Sequence, residues 1–216
     1  DEGGWLRSLL HGHGWPAVLE SVVSPDPSEV AWAYPCSLEV VEKALGVIVH
    51  SLHARKLVER WYGFAGSDAC SVVSLVRAPT PMGDDIEHER LRAGARRALG
   101  ISDDDFVVCS FGHLGTTKLN HRLLKAWQLC GLSKDKGCQL VFVGHRESDP
   151  YGQAVDDAMA EPASGRARIT GFTDQATYRQ WLFAADVAVQ LRTHSRGETS
   201  AAVLDCWNHG LATLVN

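Results

Sequence analysis

The sequence lacks the familiar spellings of a nucleotide or metal site. There is no Walker motif: Gly112 and Gly115 stand three apart and Lys118 follows a threonine, whereas that loop needs four residues between its first glycine and a Gly-Lys pair followed by Ser or Thr. The dinucleotide fingerprint G-x-G-x-x-G is absent as well. None of the cysteines (Cys36, Cys70, Cys109, Cys130, Cys138, Cys206) forms a C-x-x-C pair, which argues against a zinc ribbon or a thioredoxin-like redox motif. Several lie among apolar neighbours in predicted strands and helices, and the six are read as reduced core residues of a cytoplasmic protein. No run of about 18 apolar residues exists, so no integral membrane segment is expected. No signal peptide is visible at the start. The chain opens on Asp1 rather than Met, which suits removal of an upstream segment. Excess positive charge is missing too: a net charge of −5 and a pI near 6.0 argue against nucleic acid as the partner. Neither an internal repeat nor a low-complexity segment is present.

What remains is a chain of 216 residues, 45% hydrophobic, enough for a real core in one large or two small domains. Near the start, Trp5, Leu6, Leu9 and Leu10 fit one helical face, and HGHGWP and SPDPSE then read as loops. SLEVVEKAL predicts a helix with Ser37 as N-cap, GVIVH (46–50) a buried strand, SLHARKLVERWYG a helix ended by Gly63, and CSVVSLV (70–76) a strand. RAPTPMGDD (77–85) reads as a linker. Beyond it the pattern is regular. Helices are predicted over 87–99, 118–130, 150–161, 174–184 and 199–209, and strands over 106–111, 139–143, 167–170, 186–190 and 212–215. Continuous apolar strands alternating with helices imply a parallel sheet covered on both faces. The expected fold class is α/β: a Rossmann-like parallel sheet domain with part of a second α/β domain. The expected boundaries are 1–78 for the partial N-terminal domain, 79–86 for the linker and 87–216 for the Rossmann-like domain. No closing helix follows the last strand, which suits truncation at that end.

Ligands of open parallel sheets lie beyond the carboxyl ends of the strands. That rule selects GHLGTTK, GHRESDP, GFTD, LRTHSRGETS and Asn216. In the first loop, Thr116 and Thr117 are placed to cap the next helix, whose buried face is Leu119, Leu123, Trp127 and Cys130. A helix start offers unpaired N–H groups and a partial positive charge; Lys118 adds a full charge and His113 a further donor. The alternative is a plain N-cap turn with a solvated lysine. In the fourth loop Arg192, His194 and Arg196 precede the small residues of GETSAA, with Asp205 further along the helix. A phosphate site with a carboxylate for ribose or sugar hydroxyls fits a nucleotide-sugar. The alternative there is a solvated basic loop with Glu198 capping the helix.

The ordered set of segments resembles a retaining glycosyltransferase of the GT-B fold, family 4. It comprises EKALGVIVHSLHARKLVERWYG (42–63), ALGI (98–101), FVVCSFGHLGTTKLNHRLLKAW (106–127), QLVFVG (139–144), RITGFTD (168–174), AADVAVQL (184–191) and RGETSAAVLDCWNHGLATLVN (196–216). It covers roughly residues 36–216. The resemblance implies that Lys118 binds the donor diphosphate, with Gly112, His113 and the N–H groups of Thr199 and Ser200 beside it. His113 stands where the family usually has arginine, and a histidine carries less than a full charge at neutral pH. Asp205 matches the second glutamate of the family's Glu–seven residues–Glu motif, which binds the ribose. The first glutamate falls on Gly197, with Glu198 one place later as a substitute. Gly171 and Phe172 match a loop that contacts the base, and Arg146 is a further donor-site candidate.

The implied reaction is transfer of a sugar from a nucleotide-sugar to an acceptor hydroxyl with retention, without a metal or other cofactor. Cations and helix-start N–H groups then offset charge on the leaving diphosphate, and two domains close to exclude water. The acceptor is a glycan, a lipid-linked glycan or a small molecule. Most of the family's N-terminal domain, which supplies the acceptor pocket and a catalytic-side histidine, has no counterpart here. No catalytic residue is therefore assigned, and this chain alone is expected to be weak or inactive in transfer. His11 and His13 read as a loop pair without further metal ligands, and His50 and His53 flank a strand end. The charged stretch Glu87–Arg97 reads as solvated helix surface, and Trp181 and Phe183 as helix core. The competing readings are a non-catalytic nucleotide-binding or regulatory module of the same fold, a nucleotide-sugar epimerase, and a Rossmann dehydrogenase, which the missing glycine fingerprint disfavours.

Overall fold

The computed structural model describes residues 2–80, 83–193 and 197–216. They form two compact units: residues 2–75 with 197–199, and residues 76–80 and 83–193 with 200–216.

In the first unit, α1 (Glu2–Val23) and α2 (Pro27–Ala33) precede α3 (Leu38–Lys43), β1 (Val47–Val49), α4 (Leu52–Asp68) and β2 (Cys70–Val72). The HGHGWP stretch, expected to be a loop, lies inside α1. Gly14 breaks that helix with φ 74° and ψ −172°, two residues before Pro16. Proline has no N–H for the helical ladder and clashes with the preceding turn, so the break falls where a glycine can absorb it. Gly63 acts similarly in α4: it takes φ 76°, but the helix resumes and runs to Asp68. β1 and β2 pair in parallel. The expected burial of β1 does not hold, since Ile48 is 66% exposed. A two-stranded sheet with one helical layer leaves its other face open. The strand expected over 70–76 is confined to Cys70–Val72. Ser37 occupies the N-cap of α3 without a side-chain capping bond.

The second unit contains α5 (Asp85–Leu99), β3 (Phe106–Phe111), α6 (Asn120–Leu129), β4 (Cys138–Val143), α7 (Pro150–Met159), β5 (Ala167–Ile169), α8 (Gln175–Ala184), β6 (Val187–Gln190), α9 (Ala201–Asn208) and β7 (Thr213–Val215). The strand order is β5-β4-β3-β6-β7, every pair parallel. From β3 the chain winds outward through β4 and β5. It then returns to the other side of β3 for β6 and β7, so the order reverses between β3 and β6.

Period-two alternation sorts the strands onto two cores. Val107, Cys109 and Phe111 with Val141 and Val143 pack against Trp181, Leu182, Phe183 and Cys206. Val108, Leu140 and Phe142 face the other side with Leu124, Trp127 and Val155. Each large apolar side chain buried there contributes roughly 1.5–3 kcal/mol. Burial pushes the Cys206 thiol up to about 12 and raises that of Cys109 further, so both behave as apolar core atoms. Trp181 and Phe183 are core, as expected.

The amino edge of this sheet corrects the reading of Glu87–Arg97 as solvated throughout. Arg96 is 2% exposed. Its guanidinium donates to the carbonyls of Ala184, Ser102, Asp103 and Asp105 and to Asp186 Oδ2 at 2.8 Å. Asp186 also accepts from Arg92 at 2.6 Å and from the Val107 amide at 2.7 Å. Nearby, Asp105 accepts from Arg166 and from Gln139, and the Arg166 guanidinium holds its carboxyl below the usual range.

Candidate functional site

The carboxyl edge of the five-stranded sheet is built from turns. β3 ends at Phe111 and Gly112 follows with φ 107°, a conformation that suits glycine. An added Cβ at Gly144 would lie 2.1 Å from the Gly112 carbonyl oxygen, so the chains leaving β3 and β4 approach this closely because Gly144 carries no side chain. The Gly112 amide donates to Val143 O at 3.0 Å, the Leu114 amide donates to His145 O at 2.9 Å, and Leu114 bridges Arg146 in parallel. The β3–β4 pairing thus continues three residues past the strands and ties the loop after β3 to the loop after β4.

Thr116 and Thr117 do not cap α6. Residues Thr116–Lys118 form a 3₁₀ turn, and Leu119, with φ 52°, enters α6 without a side-chain cap. Asn120 Oδ1 reaches back instead and accepts the Gly115 amide at 3.1 Å. Lys118 ends the turn, and its Nζ lies 4.0 Å from the place a Gly112 Cβ would take. The ammonium therefore lies over the glycine turn. The Thr193 amide donates to Thr117 O at 3.1 Å, which ties the loop after β6 to the loop after β3. That second loop is also held from β7: Asn216 accepts the Arg192 amide at 2.8 Å and donates to its carbonyl at 2.9 Å. Gly112, His113, Lys118 and the Arg192–Thr193 segment thus flank the point of strand reversal, the place where open α/β sheets hold ligands.

The other expected residues are more dispersed. Ser200 caps α9, its side chain accepting the Val203 amide at 3.4 Å, so Ser200 rather than Glu198 does the capping. Glu198 and Thr199 belong to the segment grouped with the first unit. Gly197 has φ 87°, and a Cβ there would lie 2.8 Å from Ala54 Cα; the position has no room for a glutamate. Asp205 is paired: its oxygens accept from Arg77 Nε at 2.6 Å and Nη2 at 3.0 Å, and Tyr178 Oη lies 3.4 Å away. Burial and the Asp205 charge raise the Tyr178 phenol well above its ordinary value. A ribose contact at Asp205 would have to displace Arg77. Arg146 is engaged by Asp156 of α7, with Nε to Oδ1 at 2.7 Å and a second bond from Nη2. Gly171 takes φ 75° and Phe172 is 84% exposed. Arg192 is half-buried, while His194 and Arg196 fall outside the described residues.

In the first unit, His13 Nε2 donates to Pro35 O at 2.8 Å and the ring lies among Tyr34, Trp61 and Tyr62. His11 pairs with Glu42 at 2.7 Å. His50 Nδ1 lies 2.8 Å from Val73 O.

Sequence reasoning missed His145. Its ring centroid lies 4.8 Å from that of His113 and 6.3 Å from that of Phe172. A signal was present. Gly-His follows β3 and Gly-His follows β4, and the strands pair Phe111 with Val143. Equivalent positions of adjacent parallel strands lie about 4.8 Å apart, so the second histidine belongs beside the first.

No family model and no curated protein matches the sequence. Solved structures do match. A structure of HepE from Anabaena in complex with UDP-glucose has a TM-score of 0.61 at 18% identity, covering 87% of this chain and 46% of that one. Sucrose-phosphate synthase from Thermosynechococcus elongatus has a TM-score of 0.65 at 20% identity, covering 92% and 47%. The catalytic domain of starch synthase IV from Arabidopsis thaliana, bound to ADP and acarbose, has a TM-score of 0.59 at 14% identity, covering 82% and 40%. The chain spans under half the length of each. The likeness shows the fold: a Rossmann-like, parallel α/β arrangement shared with glycosyltransferases of the GT-B kind.

Proposed function

We propose that this chain is the nucleotide-sugar-binding part of a glycosyltransferase, and that the loop at residues 112–118 holds the donor diphosphate. The observation that carries this reading is the placement of Lys118 over a glycine turn at the reversal between β3 and β6. A compact ammonium beside close-approaching backbone suits a diphosphate, whose charge grows as the sugar leaves. The structural neighbours in complex with UDP-glucose and with ADP support a nucleotide in this role.

In the finer reading the parent protein is a hexosyltransferase of family 4. It transfers a sugar with retention to a glycan, lipid-linked or small-molecule acceptor, and the protein's own cations suffice for the chemistry. Gly112, His113, Lys118, Thr199 and Ser200 would meet the diphosphate, Glu198 or Asp205 the ribose or sugar, and Gly171, Phe172 and Arg146 the base. A cytoplasmic setting suits the free cysteines, and among the described residues no helix is long and apolar enough to cross a membrane.

A second reading, a nucleotide-binding or regulatory module without transfer activity, is favoured by two observations. Arg77 occupies both oxygens of Asp205, and Gly197 leaves no room for a sugar-binding glutamate.

Calorimetric titration of the chain with UDP, GDP and ADP tests the common core of both readings. Binding of one nucleotide that is lost in Lys118→Ala supports the diphosphate site and names the base. No binding of any nucleotide overturns it. Sugar transfer by the longer parent protein separates the enzyme from the module.

A further inference from the structure

The histidine pair at the sheet edge is not used by the nucleotide reading, which employs His113 alone and as a weak donor. His113, His145 and Glu147 each bring one ligand atom to within 4.8 Å of the other two, and they are the group of this kind found among the described residues. His145 Nε2 lies 3.8 Å from Glu147 Oε1. From these contacts we infer a binding site for a divalent transition-metal ion, of the zinc or cobalt class, made by His113, His145 and Glu147.

The backbone favours the site. Leu114 N to His145 O at 2.9 Å and the Leu114–Arg146 bridge fix the two histidine-bearing segments against each other. Gly144, just before His145, allows that approach, since a Cβ there would lie 2.1 Å from the Gly112 carbonyl oxygen. Glu147 lies two residues past His145, on the other side of the Arg146 bridge, and its Oε1 is within reach of the His145 ring. Phe172 stands edge-on to His145, with ring centroids 6.3 Å apart. Metal–ligand bonds of about 2.0–2.2 Å put tetrahedral donors roughly 3.3 Å apart. Closing from 4.8 Å needs only rotations of side chains that are exposed and free of packing constraints on their solvent side.

The donor set selects the ion. Two imidazoles and one carboxylate suit zinc, cobalt or nickel better than magnesium or calcium, which prefer oxygen. Three protein donors leave at least one position open for water or an anionic oxygen. The ion would add positive charge on the same turn that carries Lys118, without being required for the transfer proposed above.

Titration of the chelator-stripped chain with cobalt(II), followed by its visible absorption, tests the site. No nucleotide is present, so the outcome does not depend on the donor-site reading. The expected result is one bound ion with the intense visible band of a low-coordinate cobalt, displaced by zinc. His145→Ala should weaken binding by more than the roughly 10–100-fold typical of changes to groups that merely orient ligands. Glu147→Gln should weaken it less. His11→Ala, which removes the separate His11–Glu42 pair of α1 and α3, should leave the band unchanged. A band that survives in the His113→Ala/His145→Ala double variant, or no cobalt binding up to millimolar concentration, overturns the proposal. Circular dichroism of each variant separates loss of a ligand from loss of fold.

Discussion

The two edges of the five-stranded sheet are made from different chemistry. At the amino edge, charges are buried and matched. Arg96 is enclosed by backbone carbonyls and Asp186, Asp186 also takes the Val107 amide of β3, and Arg166 and Gln139 hold Asp105. At the carboxyl edge, glycines bring backbones together and leave Lys118, His113 and His145 around a turn at the strand reversal. Groups that neutralise one another hold a fold in place. Polar side chains presented on glycine turns at the ligand edge of a parallel sheet are placed for something that arrives from outside. The comparison predicts that substitutions at one edge should change stability and those at the other should change binding.

The largest effect is expected from Asp186→Ala. It leaves Arg96 buried without its anion, and breaking a buried pair from one side costs roughly 3–5 kcal/mol. Urea denaturation should show the drop, while nucleotide affinity of the folded protein stays as it was. An unchanged urea midpoint would mean that the amino edge does not stabilise the fold. Gly144→Ala comes next and should blur the division. Its Cβ would meet the Gly112 carbonyl at 2.1 Å, and overpacking of this kind costs about 1–3 kcal/mol. Both stability and nucleotide affinity should fall, since the turn under Lys118 must shift. Lys118→Ala should do the opposite of Asp186→Ala. Nucleotide affinity should fall by more than about tenfold, or about 1.4 kcal/mol, with stability within about 0.5 kcal/mol of the parent. Calorimetry and denaturation on the same samples would show whether the two properties separate.

The difference between the edges also explains what could be read in advance. The strands of the second unit are continuous apolar runs, so their positions and parallel pairing followed from pattern: β3 was expected over 106–111 and spans Phe106–Phe111. The carboxyl-edge loops were identified because glycine, lysine and histidine after a strand have local meaning. Arg96 was not, because an arginine on a charged helix looks the same in sequence whether it meets water or a carboxylate ninety residues away. The same limit hid the Arg77–Asp205 pair and left the 3₁₀ turn at Thr116–Lys118 to be read as two capping threonines and the first residue of α6. In the first unit, Gly14 and Gly63 were taken as punctuation but serve as kinks inside longer helices, since neighbouring turns supply enough contacts to resume the helix.

The smallest effect is a pH dependence that belongs to the amino edge. His209 lies at the end of α9, just before β7, against Phe183. Its Nε2 is 3.3 Å from Thr80 Oγ1 and its Nδ1 2.8 Å from Asp205 O. Burial lowers its pKa from the ordinary 6.5, with Arg179 and His88 acting in the same direction and the Asp205 carbonyl and charge opposing. The unfolded chain therefore binds a proton at a pH where the folded chain does not, and stability falls as pH drops below about 6.5. Asp105 and Asp174 act in another window. Their carboxyls are held below the usual range by Arg166 and by the Thr177 amide respectively, so their contributions persist until pH falls below about 4. Between about pH 7.5 and 5.5 the parent should lose stability and His209→Gln should lose less, because the amide has no proton to take up. Nucleotide affinity measured across the same window should not follow His209. If the variant and parent lost stability equally, the histidine would not be the group that titrates, and the amino edge would hold its charges without a proton-linked weak point.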